Sequence, residues 1–220
     1  MIKDIIRWVI RADEEGLRTH KAMLRLVSHA RGASTLLDIG CAQGSKTIAY
    51  SELLGIPPAK IKGIEPQARY RLLAQEKFET LSVDIEKKAF PFADEAFDLI
   101  ICNQVLEHLK NIFRPLGEMD RTLKTGGCLI IGIPNLSGLY NRLLLLVGAQ
   151  PLCSHITGPH VRVFAHRPFV EFLKSNPNFE LIKTDSATLY QLPYPLVDWL
   201  GWLFPGLAAF TFYLLRKKKH

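Results

Sequence analysis

The chain is poor in cysteine, with four among 220 residues: Cys41, Cys102, Cys128 and Cys153. They form no C-x-x-C pair and have no histidine at metal-ligand spacing, so a disulfide-stapled scaffold and a zinc ribbon are both excluded. Cys102 and Cys128 lie in apolar, strand-like runs, and buried thiols in a reducing cytoplasm are the expectation. No Asp/Glu/His grouping has the spacing of a metal site either, so no metal is expected. Repeats and low-complexity tracts are absent. The N-terminus, M-I-K-D-I-I-R-W-V-I-R, alternates charge with apolar residues and has neither a long apolar core nor a cleavage site, so it does not read as a signal peptide. Two phosphate-binding patterns are also missing. There is no G-x-G-x-x-G and no G-x-x-x-x-G-K-[ST]. A Tyr-x-x-x-Lys occurs only at Tyr213 to Lys217, in the basic tail, which sets aside a nicotinamide dehydrogenase.

What is present is ordinary globular material, 48% apolar and 22% charged, in a length that suits one domain spanning 1–220. The formal charge is +7, and Arg216 to Lys219 supply four positive charges at the end of the chain. No aromatic-interleaved basic stripe accompanies them, so nucleic-acid binding is not expected, and a solvated tail or weak contact with an anionic membrane surface fits better.

Thr35 to Gly44, T-L-L-D-I-G-C-A-Q-G, organises the rest. Leu36 to Ile39 read as a buried strand, Gly40 and Gly44 as a tight loop, and Ser45 onward as a helix with Ile48, Leu53 and Leu54 near one face. Ligands of open α/β sheets bind at such strand ends. Ile61 to Glu65 read as a second strand ending in an acid, 21 residues past Gly44. Arg69 to Glu79 read as a helix, Leu81 to Ile85 as a third strand, and Phe97 to Cys102 as a fourth. A helix then starts over Val105 to Leu109 and another covers Pro115 to Leu123. Lys124 to Gly127 form a turn and Cys128 to Ile133 a fifth strand. Residues 3 to 31 read as two helices broken near Gly16, a cap (1–33) packed on the sheet edge.

The spacing Asp-x-Gly-x-x-x-Gly after an apolar strand resembles motif I of the class I S-adenosylmethionine-dependent methyltransferases, with Ala42 where glycine is usual. The passage from Phe90 to Leu109, F-P-F-A-D-E-A-F-D-L-I-I-C-N-Q-V-L-E-H-L, resembles the same family (its type 11/12 domains), and K-T-G-G resembles its turn before strand five, with Thr125 in place of proline. The resemblance implies an α/β, three-layer, doubly wound Rossmann-like sheet of seven strands, mostly parallel with an antiparallel last strand, preceded by N-terminal helices. It implies S-adenosylmethionine as cofactor and S-adenosylhomocysteine as product. It assigns the cofactor to Asp38, Gly40, Cys41, Ala42 and Gly44 in the loop, to Glu65 and Pro66 for the ribose, to Asp84 and Ile85 for the adenine, and to Asn103 and Gln104 at the fourth strand end.

Residues 136–177 stand apart as an acceptor-side insertion between strands five and six. A Leu-rich helix after Asn135 is followed by His160-Val161-Arg162-Val163-Phe164, which resembles an H-x-R-x-F passage of some family members, then a helix over Pro168 to Lys174 and strand six over Phe179 to Ser186. Methyl transfer from a sulfonium is an in-line displacement that needs alignment and exclusion of water more than a strong base. His108 and His160 are the candidates if a base is used, since imidazole titrates near neutrality. His20, His29, His155, His166 and His220 read as surface or loop residues. The acceptor is expected to be a small or lipid-like molecule and the protein a monomer or homodimer. A non-catalytic S-adenosylmethionine-binding module or partner subunit is the alternative. Trp199 to Leu215 carry no charge, yet Pro205-Gly206 interrupt them. Ala208 to Leu215 read as a strand, not as part of a membrane span, and the resemblance implies that it returns antiparallel between buried neighbours after a helix over Leu196 to Phe204.

Overall fold

In the computed structural model, residues 16–187 and 204–219 are described. The expected helical segment before Gly16, the expected helix of Leu196 to Phe204 (Phe204 excepted) and His220 lie outside them. Seven strands form one sheet: β1 (Leu36–Ile39), β2 (Ile61–Ile64), β3 (Glu79–Leu81), β4 (Phe97–Asn103), β5 (Leu123–Pro134), β6 (Phe179–Ala187) and β7 (Phe210–Lys217). Their order is β3-β2-β1-β4-β5-β7-β6, with β7 antiparallel to both neighbours and the other pairs parallel. The order reverses between β1 and β4, and a crevice opens past the carboxyl ends of the strands at such a point.

Strand alternation sorts the apolar side chains into two cores. Leu37, Ile39, Ile100, Cys102, Leu129, Ile131, Tyr213 and Leu215 face one way and pack with Met119 of α4 (Phe113–Thr122) and Phe169 and Leu173 of α6 (His166–Ser175). Leu36, Ile61, Leu99, Ile101, Ile130, Phe212 and Leu214 face the other way. They pack with Met23 and Leu26 of α1 (residues 16–27), Tyr50 of α2 (Ser45–Leu54) and Ala74 of α3 (Ala68–Gln75). Burial on both faces explains why β4 and β7 read as continuous apolar runs. Among the described residues no helix is long and apolar enough to cross a membrane, and residues 210–217 are a strand, as their aromatic and β-branched content implies.

Several local expectations are corrected. Helix α1 lies over the face of the sheet, not its edge, and Arg25 forms a two-point ion pair with Asp185 of β6 at 2.7 and 2.8 Å. The buried face of α2 is Thr47, Tyr50 and Ser51, while Leu53 is 49% exposed. Helix α3 stops at Gln75 because Phe78 turns inward and is buried. Strand β3 then begins at Glu79 and ends at Leu81, so Asp84 and Ile85 lie beyond it. The carbonyl of Asp84 accepts the N–H groups of Lys87 and Lys88, and its carboxylate accepts that of Glu86, which makes a turn out of the expected strand end. In place of a helix at Val105 to Leu109 there is a single 3-10 turn, Leu106–His108. Lys124 to Gly127 belong to the start of β5 as a bulge: between the pairs Phe97–Leu123 and Leu99–Cys128, β5 advances five residues against two.

Candidate functional site

The loop after β1 is built by backbone conformations that few residues adopt. Gly40, Ala42 and Gly44 all have positive φ, at 73°, 47° and 79°. A Cβ on Gly40 would meet Val105 at 2.4 Å, so glycine is required there for space as well as conformation. Ala42 carries its methyl group in the left-handed region, where an L-residue is strained by about 1–2 kcal/mol. Glu65, at the end of β2 and only 5% exposed, holds the loop: its Oε2 accepts the Ala42 N–H at 3.0 Å and its Oε1 the Gln67 N–H at 2.9 Å. On the other side Asp38 accepts the Thr47 hydroxyl at 2.5 Å. Burial pushes the Asp38 carboxyl up to about 7, against the Thr47 hydrogen bond and the charge of Lys46.

Two cavities meet at this loop and share Gly40 and Gln104. The larger, about 770 Å³, runs from Glu65, Pro66, Asp84 and Ile85 past Gly40 to His108 and Pro159. The smaller, about 420 Å³, is lined by Asp38, Cys41, Ala42, Lys46, Tyr50 and Asn103. The Asn103 Oδ1 and the Tyr50 hydroxyl are both buried with no hydrogen-bond partner among the described residues. An unpaired acceptor and donor in one pocket suit a ligand bearing both an ammonium and a carboxylate. Burial also pushes the Cys41 thiol upward, so it lines this pocket as a neutral group.

Residues 37–131 match the family model for a methyltransferase domain. A malonyl-[acyl-carrier protein] O-methyltransferase of Legionella pneumophila is 34% identical over 103 residues, covering 43% of this chain and 34% of that protein. A demethylmenaquinone methyltransferase of Bacillus licheniformis is 30% identical over 122 residues, covering 52% of each. The chain thus spans between about a third and a half of the length of these curated relatives. In three dimensions a SAM-dependent methyltransferase from Archaeoglobus fulgidus superposes with a TM-score of 0.64 at 16% identity, covering 90% of this chain and 93% of that one, a likeness of fold. Residues 37–131 are thus a methyltransferase-type domain, in a fold shared with SAM-dependent methyltransferases.

The methyltransferase-domain match carries S-adenosylmethionine as its cofactor, and the two cavities are where its strand-end candidates gather. All the cofactor-binding candidates read from the sequence line one of the two cavities except Gly44, which turns the loop into α2 against Phe78. Asp84 lines the larger one although it is solvent-exposed and paired with Lys87 at 3.2 Å.

The fold also brings together residues that the sequence left apart. The backbone N–H groups of Val161 and Arg162 both donate to the Glu107 carbonyl, at 2.9 and 3.0 Å, and the Arg162 guanidinium donates to the Leu109 carbonyl at 3.1 Å. The H-x-R-x-F passage is thereby stitched to the turn after β4, and the rings of His108 and His160 lie 4.9 Å apart. Glu107, unmarked in the sequence reading, is 1% exposed between them, and burial pushes its carboxyl up to about 7. Glu107, His108 and His160 each bring a ligand atom within 4.8 Å of the others, a grouping that spacing in the sequence does not show. Their separation in the chain hid it, although the adjacent Glu-His pair was a signal. Tyr50 and Lys46 were missed as well. They sit in the first turns of α2, whose polar positions hydropathy does not flag. Two histidines read as surface or loop residues are packed, half-buried, in helices: His20 lies against Tyr50, with ring centroids 5.5 Å apart, and His166 stacks on Tyr213 with its Nδ1 3.0 Å from the Tyr213 hydroxyl.

Proposed function

We propose that the chain transfers the methyl group of S-adenosylmethionine by in-line displacement to an acceptor held beside His108 and His160. The observation that carries this reading is the continuity of the larger cavity, which joins Glu65 and Asp84 at one end to His108 and Pro159 at the other. In this reading Glu65 accepts the ribose hydroxyls and Asp84 with Ile85 borders the adenine. Asp38, Gly40, Cys41, Ala42, Gly44, Asn103 and Gln104 surround the methionine moiety. The cofactor supplies an electrophilic methyl whose transfer cancels the sulfonium charge. The enclosing loop and turn orient it and exclude water. His108 lines the acceptor end of the cavity with the His160 ring 4.9 Å from it, and the pair receives the acceptor and its proton.

The acceptor is a molecule with an apolar, lipid-like body and an oxygen-bearing head. Support comes from the insertion that carries His160, where Leu146, Val147 and Ile156 are 81%, 78% and 87% exposed. Two relatives act, by their names, on a malonyl-[acyl-carrier protein] and on demethylmenaquinone. The test combines calorimetry with S-adenosylhomocysteine and a product-release assay across carboxylate, phenol and quinol acceptors of increasing apolar length. His160→Ala is expected to lower turnover while leaving S-adenosylhomocysteine affinity intact. Collapse of that affinity in the variant would move His160 from the acceptor wall to the cofactor site. Tight S-adenosylhomocysteine binding with no turnover on any acceptor would favour a non-catalytic module.

A further inference from the structure

One ligand atom from each of Glu107, His108 and His160 lies within 4.8 Å of the other two. Ligands on a tetrahedral zinc ion with bonds of about 2.0–2.2 Å stand about 3–3.5 Å apart, so a shift of at most about 1–2 Å closes the triad on an ion. Three further features are those of a metal site. First, the Nδ1 of His160 is 2.9 Å from the Cys153 carbonyl and the Nδ1 of His108 is 3.2 Å from the Pro159 carbonyl. A carbonyl only accepts, so each Nδ1 bears a proton and Nε2 is the nitrogen left to ligate an ion. Carbonyl-oriented imidazoles of this kind are the usual support of metal-bound histidines. Second, Glu107 Oε2 is buried and has no hydrogen-bond partner among the described residues. Third, the other oxygen is accounted for: with its amide turned to satisfy both neighbours, Gln104 donates to Glu107 Oε1 at 3.3 Å and accepts from the Ile133 N–H at 3.3 Å.

We propose that Glu107, His108 and His160 bind one divalent transition-metal ion of the zinc class at the acceptor end of the cofactor cavity. Two imidazoles and one carboxylate favour such an ion over magnesium or calcium, which prefer all-oxygen sets. Three protein ligands leave a coordination position for an acceptor oxygen, and an ion-bound hydroxyl or enol loses its proton more readily than a free one. The ion's place beside the cofactor rests on the methyltransferase reading, and it replaces a free imidazole as the means of activating the acceptor. The ion site itself rests only on the triad.

The experiment uses the full chain without a histidine tag, stripped by a chelator and titrated with Co²⁺ alone while visible absorption is recorded. Zn²⁺ competition follows. One equivalent should bind saturably with a d–d spectrum of low coordination number, and Zn²⁺ should abolish it. His160→Gln and Glu107→Gln should each weaken Co²⁺ binding by about a hundredfold. His155→Gln, an exposed histidine of the same insertion, should leave it unchanged. Each variant's S-adenosylhomocysteine affinity, measured without metal, reports whether the fold is intact. Absence of a saturable single equivalent in the parent protein would overturn the proposal, as would binding that survives both His160→Gln and His108→Gln. Co²⁺ binding with no S-adenosylhomocysteine binding would support the ion site while removing the cofactor reading.

Discussion

Thr47 donates its hydroxyl to Asp38 at 2.5 Å, both side chains being buried. The bond joins the end of β1 to the first turn of α2 and clamps the base of the loop that carries Gly40, Ala42 and Gly44. It leaves a carboxyl in an apolar setting, where its neutral form is favoured until a cation arrives.

The Asp38 proton makes stability pH-dependent. The folded state holds this proton up to about pH 7, whereas the unfolded chain releases it near 3.8. The contribution to stability is therefore complete below pH 3.8, shrinks as the pH rises, and is gone above about 7. Asp38→Asn keeps an acceptor for Thr47 and removes the titration. Urea unfolding at pH 4 and pH 7.5 should show the parent losing more stability across this window than the variant, by on the order of a few kcal/mol. Equal losses would mean that Asp38 titrates normally.

The strain at Ala42 is open to relief. Ala42→Gly removes the left-handed penalty, partly offset by the greater freedom of glycine in the unfolded chain. The expected result is a stability unchanged or raised by up to about 1 kcal/mol, measured by thermal unfolding. Ala42→Val adds a branch at positive φ and should lower both stability and S-adenosylhomocysteine affinity. A stabilising valine would show that the loop takes another conformation.

Glu65 serves the loop and the proposed ribose contact at once. Glu65→Ala should weaken S-adenosylhomocysteine binding by about 1.5–3 kcal/mol, the range for hydrogen bonds to a charged group. That is a loss of roughly tenfold to somewhat over a hundredfold in calorimetry. An unchanged affinity would place the ribose elsewhere.

Strand β7 is the keystone of its end of the sheet, paired from Phe210 to Lys217 between β5 and β6. Phe212 is fully buried, and Phe212→Ala should cost about 3–5 kcal/mol in denaturant unfolding. Amides of residues 211–215 should exchange only on near-global unfolding. Rapid exchange there would mean that the sheet ends at β6.

The order of elements was legible in the sequence because each is encoded by local pattern. An apolar run, an aspartate and two glycines dictate a strand and a tight loop, since glycine tolerates the positive φ found at Gly40 and Gly44. The two-sided apolarity of 210–215 and the break at Pro205-Gly206 likewise marked an internal strand. Boundaries were harder where a side chain decides them: the inward turn of Phe78 ends α3, and the Asp84 turn ends the region expected to be a strand. The pairing of His160 with His108 and Glu107 was not written locally at all. It depends on two backbone N–H groups of the insertion finding the Glu107 carbonyl, a hydrogen-bonding choice made between distant segments. Hydropathy and spacing describe what each segment buries. Only the folded chain decides which loops meet, because that contact follows from the register of the sheet beneath them and from which buried polar groups are left in need of a partner.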